Sequence, residues 1–192
     1  MEIDIDFEEI ARRYNEHWPT RPPLIYSNGW LYGMWMIGND YRNKSTFYGA
    51  YPNSLLKRYS VMFDEDYKEI LHLFSGGLEP GNYIRFDLEQ ECEVSGDAHK
   101  LSEYFPENKF DIIYADPPYS NEDAEKYGTP MVKRNTVVKE CHKILKPGGI
   151  LVWLDTVYPM YSKKELLLKG TIGLIRSTNH RFRVVCIYQK VE

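Results

Sequence analysis

Short apolar runs recur along residues 69–154, and each ends in a glycine or polar tip. Glu69-Ile-Leu-His-Leu-Phe74 runs into Ser75-Gly76-Gly77, and Tyr83-Ile-Arg-Phe-Asp-Leu88 ends near Asp87. A short third run, Glu93-Val-Ser-Gly-Asp-Ala98, is followed by a helix over about Leu101–Tyr104. The fourth, Phe110–Ala115, ends in Asp116-Pro117-Pro118-Tyr119, and the fifth is Ile150–Leu154. A helix from roughly Thr129 to Leu145 separates these last two, stopped by Lys146-Pro-Gly-Gly149, the residues expected at a helix C-terminus. Strands alternating with helical stretches in this way predict an α/β fold with a parallel sheet. Open sheets of that kind bind their ligands at the carboxyl tips of the strands. The tips therefore carry the candidate functional residues.

The flanks fill in the rest. A helix starts at about Phe7 and is ended by Pro19, Pro22 and Pro23. From Leu24 to Tyr51 the chain is rich in aromatics and punctuated by Gly29, Gly33, Gly38 and Gly49, which predicts irregular structure with short strands packed on the main domain. Pro52–Tyr59 reads as a short helix with Pro52 or Asn53 near its N-terminus. Downstream, a helix around Lys163–Lys169 precedes Thr171–Ser177 and Arg181–Gln189, an antiparallel hairpin turning at Thr178-Asn179-His180. At 192 residues the chain has room for one substantial core. The expected organisation is a single domain, residues 1–192, with an aromatic-rich extension (1–50) packed on a core (51–192).

Charge and cysteine usage narrow the function classes. A net charge of −4 opposes strong non-specific attraction to nucleic acid. The distribution is uneven, however. Glu2, Asp4, Asp6, Glu8 and Glu9 open the chain, whereas Lys163, Lys164, Lys169, Arg176, Arg181, Arg183 and Lys190 crowd its last quarter. One basic face set against an acidic one would suit a phosphate backbone. Cys92, Cys141 and Cys186 are widely spaced, which fits a reducing compartment and neither a disulfide framework nor a zinc site. The five histidines are scattered. No secretory n-region and no apolar run near 18 residues is seen, so the expectation is a cytoplasmic protein without a membrane span.

Asp116-Pro117-Pro118-Tyr119 has the chemistry to grip a planar amine. The lone pair of an exocyclic aromatic amine is delocalised into the ring, and accepting hydrogen bonds from its N–H groups frees it. Asp116 supplies a carboxylate acceptor and Pro117 a carbonyl. Pro117 and Pro118 fix φ and remove N–H donors, so the turn is stiff. Tyr119 offers a ring on which a base can stack, worth about 1–3 kcal/mol. The tetrapeptide resembles the catalytic motif of the S-adenosylmethionine-dependent amino-methyltransferases of class I, among them the DNA adenine-N6 methyltransferases.

That resemblance extends over about residues 51–190 and implies a Rossmann-like class I methyltransferase fold: a mostly parallel seven-stranded sheet with an antiparallel terminal hairpin. It also implies a site for S-adenosyl-L-methionine. Phe74-Ser75-Gly76-Gly77 is similar to the family's first motif, where small residues let the backbone approach the methionine portion. Asp87 stands where an acidic side chain accepts from ribose hydroxyls. Asp97, followed by Ala98, resembles the third motif, facing the adenine of the cofactor. The segment beginning Tyr51-Pro52 is similar to the one that closes over the methionine end. Ile144-Leu-Lys-Pro-Gly-Gly-Ile-Leu-Val-Trp153 looks like the family's entry into its fifth strand.

The implied partner is nucleic acid, DNA ahead of RNA, with the base flipped or single-stranded so that its amine is reachable. Arg42 and Lys44 are the candidate phosphate contacts, and Trp30 or Trp35 could fill the space left by a flipped base. Cytosine N4, an RNA base, and an inactive cofactor-retaining binding module stand as alternatives. One departure is plain: only Leu78–Asn82 separates Gly77 from Tyr83, where a crossover helix is expected.

Overall fold

The computed structural model describes residues 5–38, 51, 53–66, 68–176 and 181–191. In chain order the elements are α1 (Phe7–His17), β1 (Ile25–Ser27), β2 (Trp30–Ile37), α2 (Asn53–Phe63), β3 (Ile70–Leu73), β4 (Ile84–Asp87) and β5 (Val94–Ser95). They continue with α3 (Leu101–Tyr104), β6 (Phe110–Ala115), α4 (Asn121–Lys126), α5 (Arg134–Ile144), β7 (Leu145–Asp155), β8 (Leu166–Arg176) and β9 (Phe182–Lys190). Among the described residues nine strands form one sheet, in the order β1-β2-β8-β9-β7-β6-β3-β4-β5. Strand β9 lies antiparallel between β7 and β8, and β1 antiparallel to β2; the remaining neighbours pair in parallel. The tips of β3, β4, β6, β7 and β8 therefore share one edge with the start of β9.

Period-two alternation divides the strands between two cores. Ile112 and Tyr114 of β6, Ile150, Val152 and Leu154 of β7, and Val185 and Ile187 of β9 face α1 and α2. Ile113 and Ala115, Leu151 and Trp153, and Cys186 and Tyr188 face α3 and α5. Helix α1 forms because Phe7, Ile10, Ala11 and Tyr14 make one apolar stripe, with Asp6 capping the free N–H groups of Glu8 and Glu9 at 2.9 and 3.1 Å. Tyr59 of α2 stacks on Tyr114 with centroids 4.8 Å apart and planes within 3°, which contributes about 0.5–1.5 kcal/mol beyond the area it buries.

Several expected elements change. Among the described residues the sheet has nine strands rather than seven, because the aromatic N-terminal stretch supplies two, β1 and the regular eight-residue β2. β2 pairs in parallel with β8 from Leu31↔Gly170 to Ile37↔Arg176. No helix forms around 163–169; β8 already begins at Leu166, which pairs with Lys190 of β9. The helix expected over 129–145 starts later, at Arg134, and a separate short helix, α4, forms ahead of it at residues 121–126. The Thr178–His180 turn lies outside the described residues. The short Leu78–Asn82 link is an extended loop without a helix, and Ser75 N donates to Phe86 O across it at 3.2 Å.

Lys146–Gly149 does more than stop a helix. It bulges from β7, shifting the register between Phe110↔Leu145 and Ile112↔Ile150. A Cβ at Gly149 would meet Lys146 O at 2.8 Å and Asp111 O at 3.1 Å, both rigid backbone. Gly149→Ala is therefore expected to destabilise the fold by about 1–3 kcal/mol, read as a lower thermal midpoint. The β7–β8 connection also lacks a helix, and large apolar side chains at that end of the sheet are exposed. Tyr32, Met34 and Phe182 there line an open groove of about 400 Å³.

Candidate active site

Strand β6 delivers Asp116 to the carboxyl edge, and the two prolines turn the chain back so that Tyr119 folds over it. The Tyr119 hydroxyl donates to Asp116 Oδ1. Ser120 then caps α4 by accepting from Asp123 N at 3.2 Å. The turn is anchored from outside by Arg134, at the start of α5. Its Nη2 donates to Tyr119 O at 3.0 Å and to Asp155 Oδ1 at 3.1 Å, and its Nε to Asp155 Oδ2 at 2.6 Å. Asp155, at the tip of β7, is fully buried and also accepts from Trp153 Nε1 and Thr156 N.

Loss of solvation pushes the Asp116 carboxyl up to about 6. The Tyr119 hydroxyl and the Arg183 charge oppose that rise, Asp155 adds to it, and Arg176 opposes it more weakly. Around neutrality Asp116 is thus an anion with an affinity for protons well above an ordinary aspartate. Desolvation and the neighbouring Asp116 hold Tyr119 firmly as the neutral phenol.

Across the edge, the tips of β3, β4 and β5 are laced into one cradle. Phe74 takes φ 57° and Gly76 φ 53°. A bulky residue in the left-handed region costs about 1–3 kcal/mol and persists where the surroundings impose it. Asp87 holds the turn, with Oδ2 accepting from Gly76 N at 2.9 Å and Oδ1 from Glu89 N and Gln90 N at 3.0 and 3.1 Å. Gly96 N donates to Asp87 O at 2.9 Å, bringing the third tip alongside. Asp97 caps the following turn through His99 N and accepts from His99 Nδ1 at 2.6 Å; Ala98 is buried against the α3–α5 core. Tyr51 reaches Leu73 O at 3.2 Å. Ser75 is fully buried, yet its Oγ has no partner among the described residues. An orphaned hydroxyl inside a strained glycine turn fits a bound ligand's polar group.

The structure therefore gathers Asp116, Pro117, Pro118 and Tyr119 at one tip and Phe74–Gly77, Asp87 and Asp97 at the neighbouring three. Pro52, Arg42 and Lys44 lie outside the described residues. Trp35 is buried beneath α1 and α2, and Trp30 sits beside the Leu31↔Gly170 pair at the opposite sheet edge, so neither borders this site. The basic residues of the last quarter do not make one face. Arg183 and Arg181 flank Tyr119, with guanidinium carbons 4.9 and 6.0 Å from its ring centroid, whereas Lys190 binds Asn108 and Leu145 O at the opposite edge.

Sequence reasoning passed over Arg134, Asp155 and the particular placement of Arg183. Asp155 is the last residue of β7 and Asp116 directly follows β6, a parallel that was there to read. Arg134 had a weaker one, a cation in the first turn of a helix, where the dipole disfavours it. Among the described residues no group of three or more His, Cys, Asp or Glu could hold a metal, and no helix is long and apolar enough to cross a membrane.

The mostly parallel strand order with β9 inserted antiparallel between β7 and β8 gives the chain the α/β, Rossmann-like topology of the class I methyltransferase fold. Its relatives are distant. The chain is 26% identical over 113 residues to the type II methyltransferase M.BglII of Bacillus subtilis, a match covering 50% of this chain and 30% of that protein. Among solved structures it is similar to TrmN from Thermus thermophilus (16% identity, TM-score 0.45, 65% of this chain and 44% of that one). It is also similar to SMU.776 solved with SAH (12% identity, TM-score 0.46, 88% and 56%). No protein-family model matches the chain.

Proposed function

We propose that this chain is an S-adenosylmethionine-dependent methyltransferase that modifies the exocyclic amine of a nucleic-acid base, adenine in DNA. The observation that carries the reading is Asp116: a poorly solvated carboxylate at a strand tip, bonded to the Tyr119 hydroxyl, beside a strained glycine cradle. The likeness to M.BglII, described as a type II methyltransferase, supports the same class.

The residues for the cofactor are Phe74–Gly77 with the free Ser75 hydroxyl, Asp87, Asp97 and Tyr51. When bound, S-adenosylmethionine supplies an electrophilic methyl group. The chain's own work is to orient and activate the amine. Asp116 accepts from one N–H and the Pro117 carbonyl from the other, which draws the nitrogen toward a tetrahedral shape and frees its lone pair. Tyr119 gives the base a stacking surface once its hydroxyl yields Asp116 to the amine. The methylated nitrogen must shed a proton, and a carboxylate pushed up to about 6 is suited to receive it near neutrality.

The test uses methyl-labelled S-adenosylmethionine with unmethylated duplex DNA, single-stranded DNA, RNA and free nucleotides, followed by digestion. Label in N6-methyladenine from DNA is the expected result. Cofactor binding with no label in any polymer would show a binding module instead, and label confined to free nucleotides a small-molecule enzyme.

A further inference from the structure

Arg183 stands out among the charged residues that the mechanism does not yet use. It is only 7% exposed, and its Nε has no hydrogen-bond partner among the described residues. A buried cation is costly unless something compensates it. What faces it is the catalytic turn. Its guanidinium carbon lies 4.9 Å from the Tyr119 ring centroid, and among the cations its charge acts most strongly on Asp116, ahead of Arg176. Its position follows from register: Arg183 pairs with Leu174 near the end of β8 and shares the face of Val185, so the side chain emerges at the carboxyl edge.

We propose that Arg183 is a positioning residue for methyl transfer, holding the Tyr119 ring by a cation–π contact and keeping Asp116 in its anionic, hydrogen-bond-accepting form. This rests on the function proposed above, since it assigns Asp116 and Tyr119 their roles. The other groups acting on Asp116 are the Tyr119 hydroxyl in its own turn, Asp155 from β7 and Arg176 from β8; Tyr51 and Tyr59 in turn feel its charge from the α2 side. Asp155 is matched by Arg134, which leaves Arg183 the principal cation bearing on the Asp116 carboxylate.

The experiment follows the Asp116 carboxyl by ¹³C NMR titration in the intact wild-type chain and in Arg183→Met, Arg183→Gln and Arg183→Lys, alongside pH profiles of methyl transfer. In the Met and Gln variants the Asp116 midpoint is expected to rise by about one pH unit. The acid limb of kcat/KM should move with it, and KM for the nucleic acid should rise about tenfold. Lysine should restore the midpoint but not KM, because it keeps the charge without the planar face. An unmoved Asp116 midpoint in folded Met or Gln variants overturns the proposal, as does failure of lysine to restore it. The titration needs no turnover. A wild type that transfers no methyl group to nucleic acid therefore sinks the function while leaving the charge coupling separately decided.

Discussion

Substituting Asp116 by alanine is expected to lower kcat for methyl transfer by about 10²–10³-fold, the range seen when one preorganised polar contact to a reacting group is removed. Affinity for S-adenosylmethionine should stay nearly unchanged, because the cradle at Phe74–Gly77 and Asp87 is held by its own bonds. The carboxylate form is the one that accepts from an amine, so wild-type activity should climb with pH through about 6 and vanish below it. Stability runs the opposite way. A carboxyl whose folded value is raised binds its proton more readily when folded, so its contribution is most favourable below the unfolded value near 4. That advantage is lost as pH rises toward 6. Asp116→Asn, which removes the charge and keeps an acceptor for Tyr119, should accordingly be more stable than wild type above pH 6, by up to about 3 kcal/mol. Urea titrations at pH 7.5 and initial rates from pH 5 to 8 check both halves. A variant that lost stability while keeping activity would show Asp116 to be a structural cap.

What was legible in the sequence followed the range of the forces involved. β6 was bounded correctly at Phe110–Ala115 because every residue of it is apolar or aromatic apart from one aspartate, and a proline pair ends it. β3 and β4 were found for similar reasons, and the tips of both fell where the cradle now lies. β2 was legible only as one of the short strands of an irregular stretch, because both of its phases are apolar. Leu31, Trp35 and Ile37 are buried while Tyr32, Met34 and Met36 are exposed, so the period-two signal cancels in the sequence and appears only once one face is covered. The start of β8 was lost to composition: Lys163–Lys169 has helix-forming residues, yet its pairing with β9 decides its state. The Arg134–Asp155 pair joins residues 21 apart, and neither residue announces its partner.

That pair carries the largest structural consequence. Arg134→Met should destabilise the protein by about 3–5 kcal/mol, because it leaves the Asp155 carboxylate buried without its counter-charge. Trp153 Nε1 and the Thr156 amide would remain as donors at 3.2 and 2.7 Å, but neither neutralises the charge. The same change removes the donor to Tyr119 O, so the folded fraction should also turn over more slowly, with the turn no longer tied to β7. Replacing both partners, as Arg134→Met with Asp155→Leu, separates the two effects. An uncharged pair of similar bulk should recover much of the stability, since the desolvation of both ions disappears together. It should not recover the rate, because Tyr119 O still lacks its donor. Urea midpoints at an unchanged m value measure the first, and kcat on the folded fraction the second. A single-variant loss below about 1 kcal/mol would mean the pair behaves like an exposed one, and the catalytic turn would need another anchor.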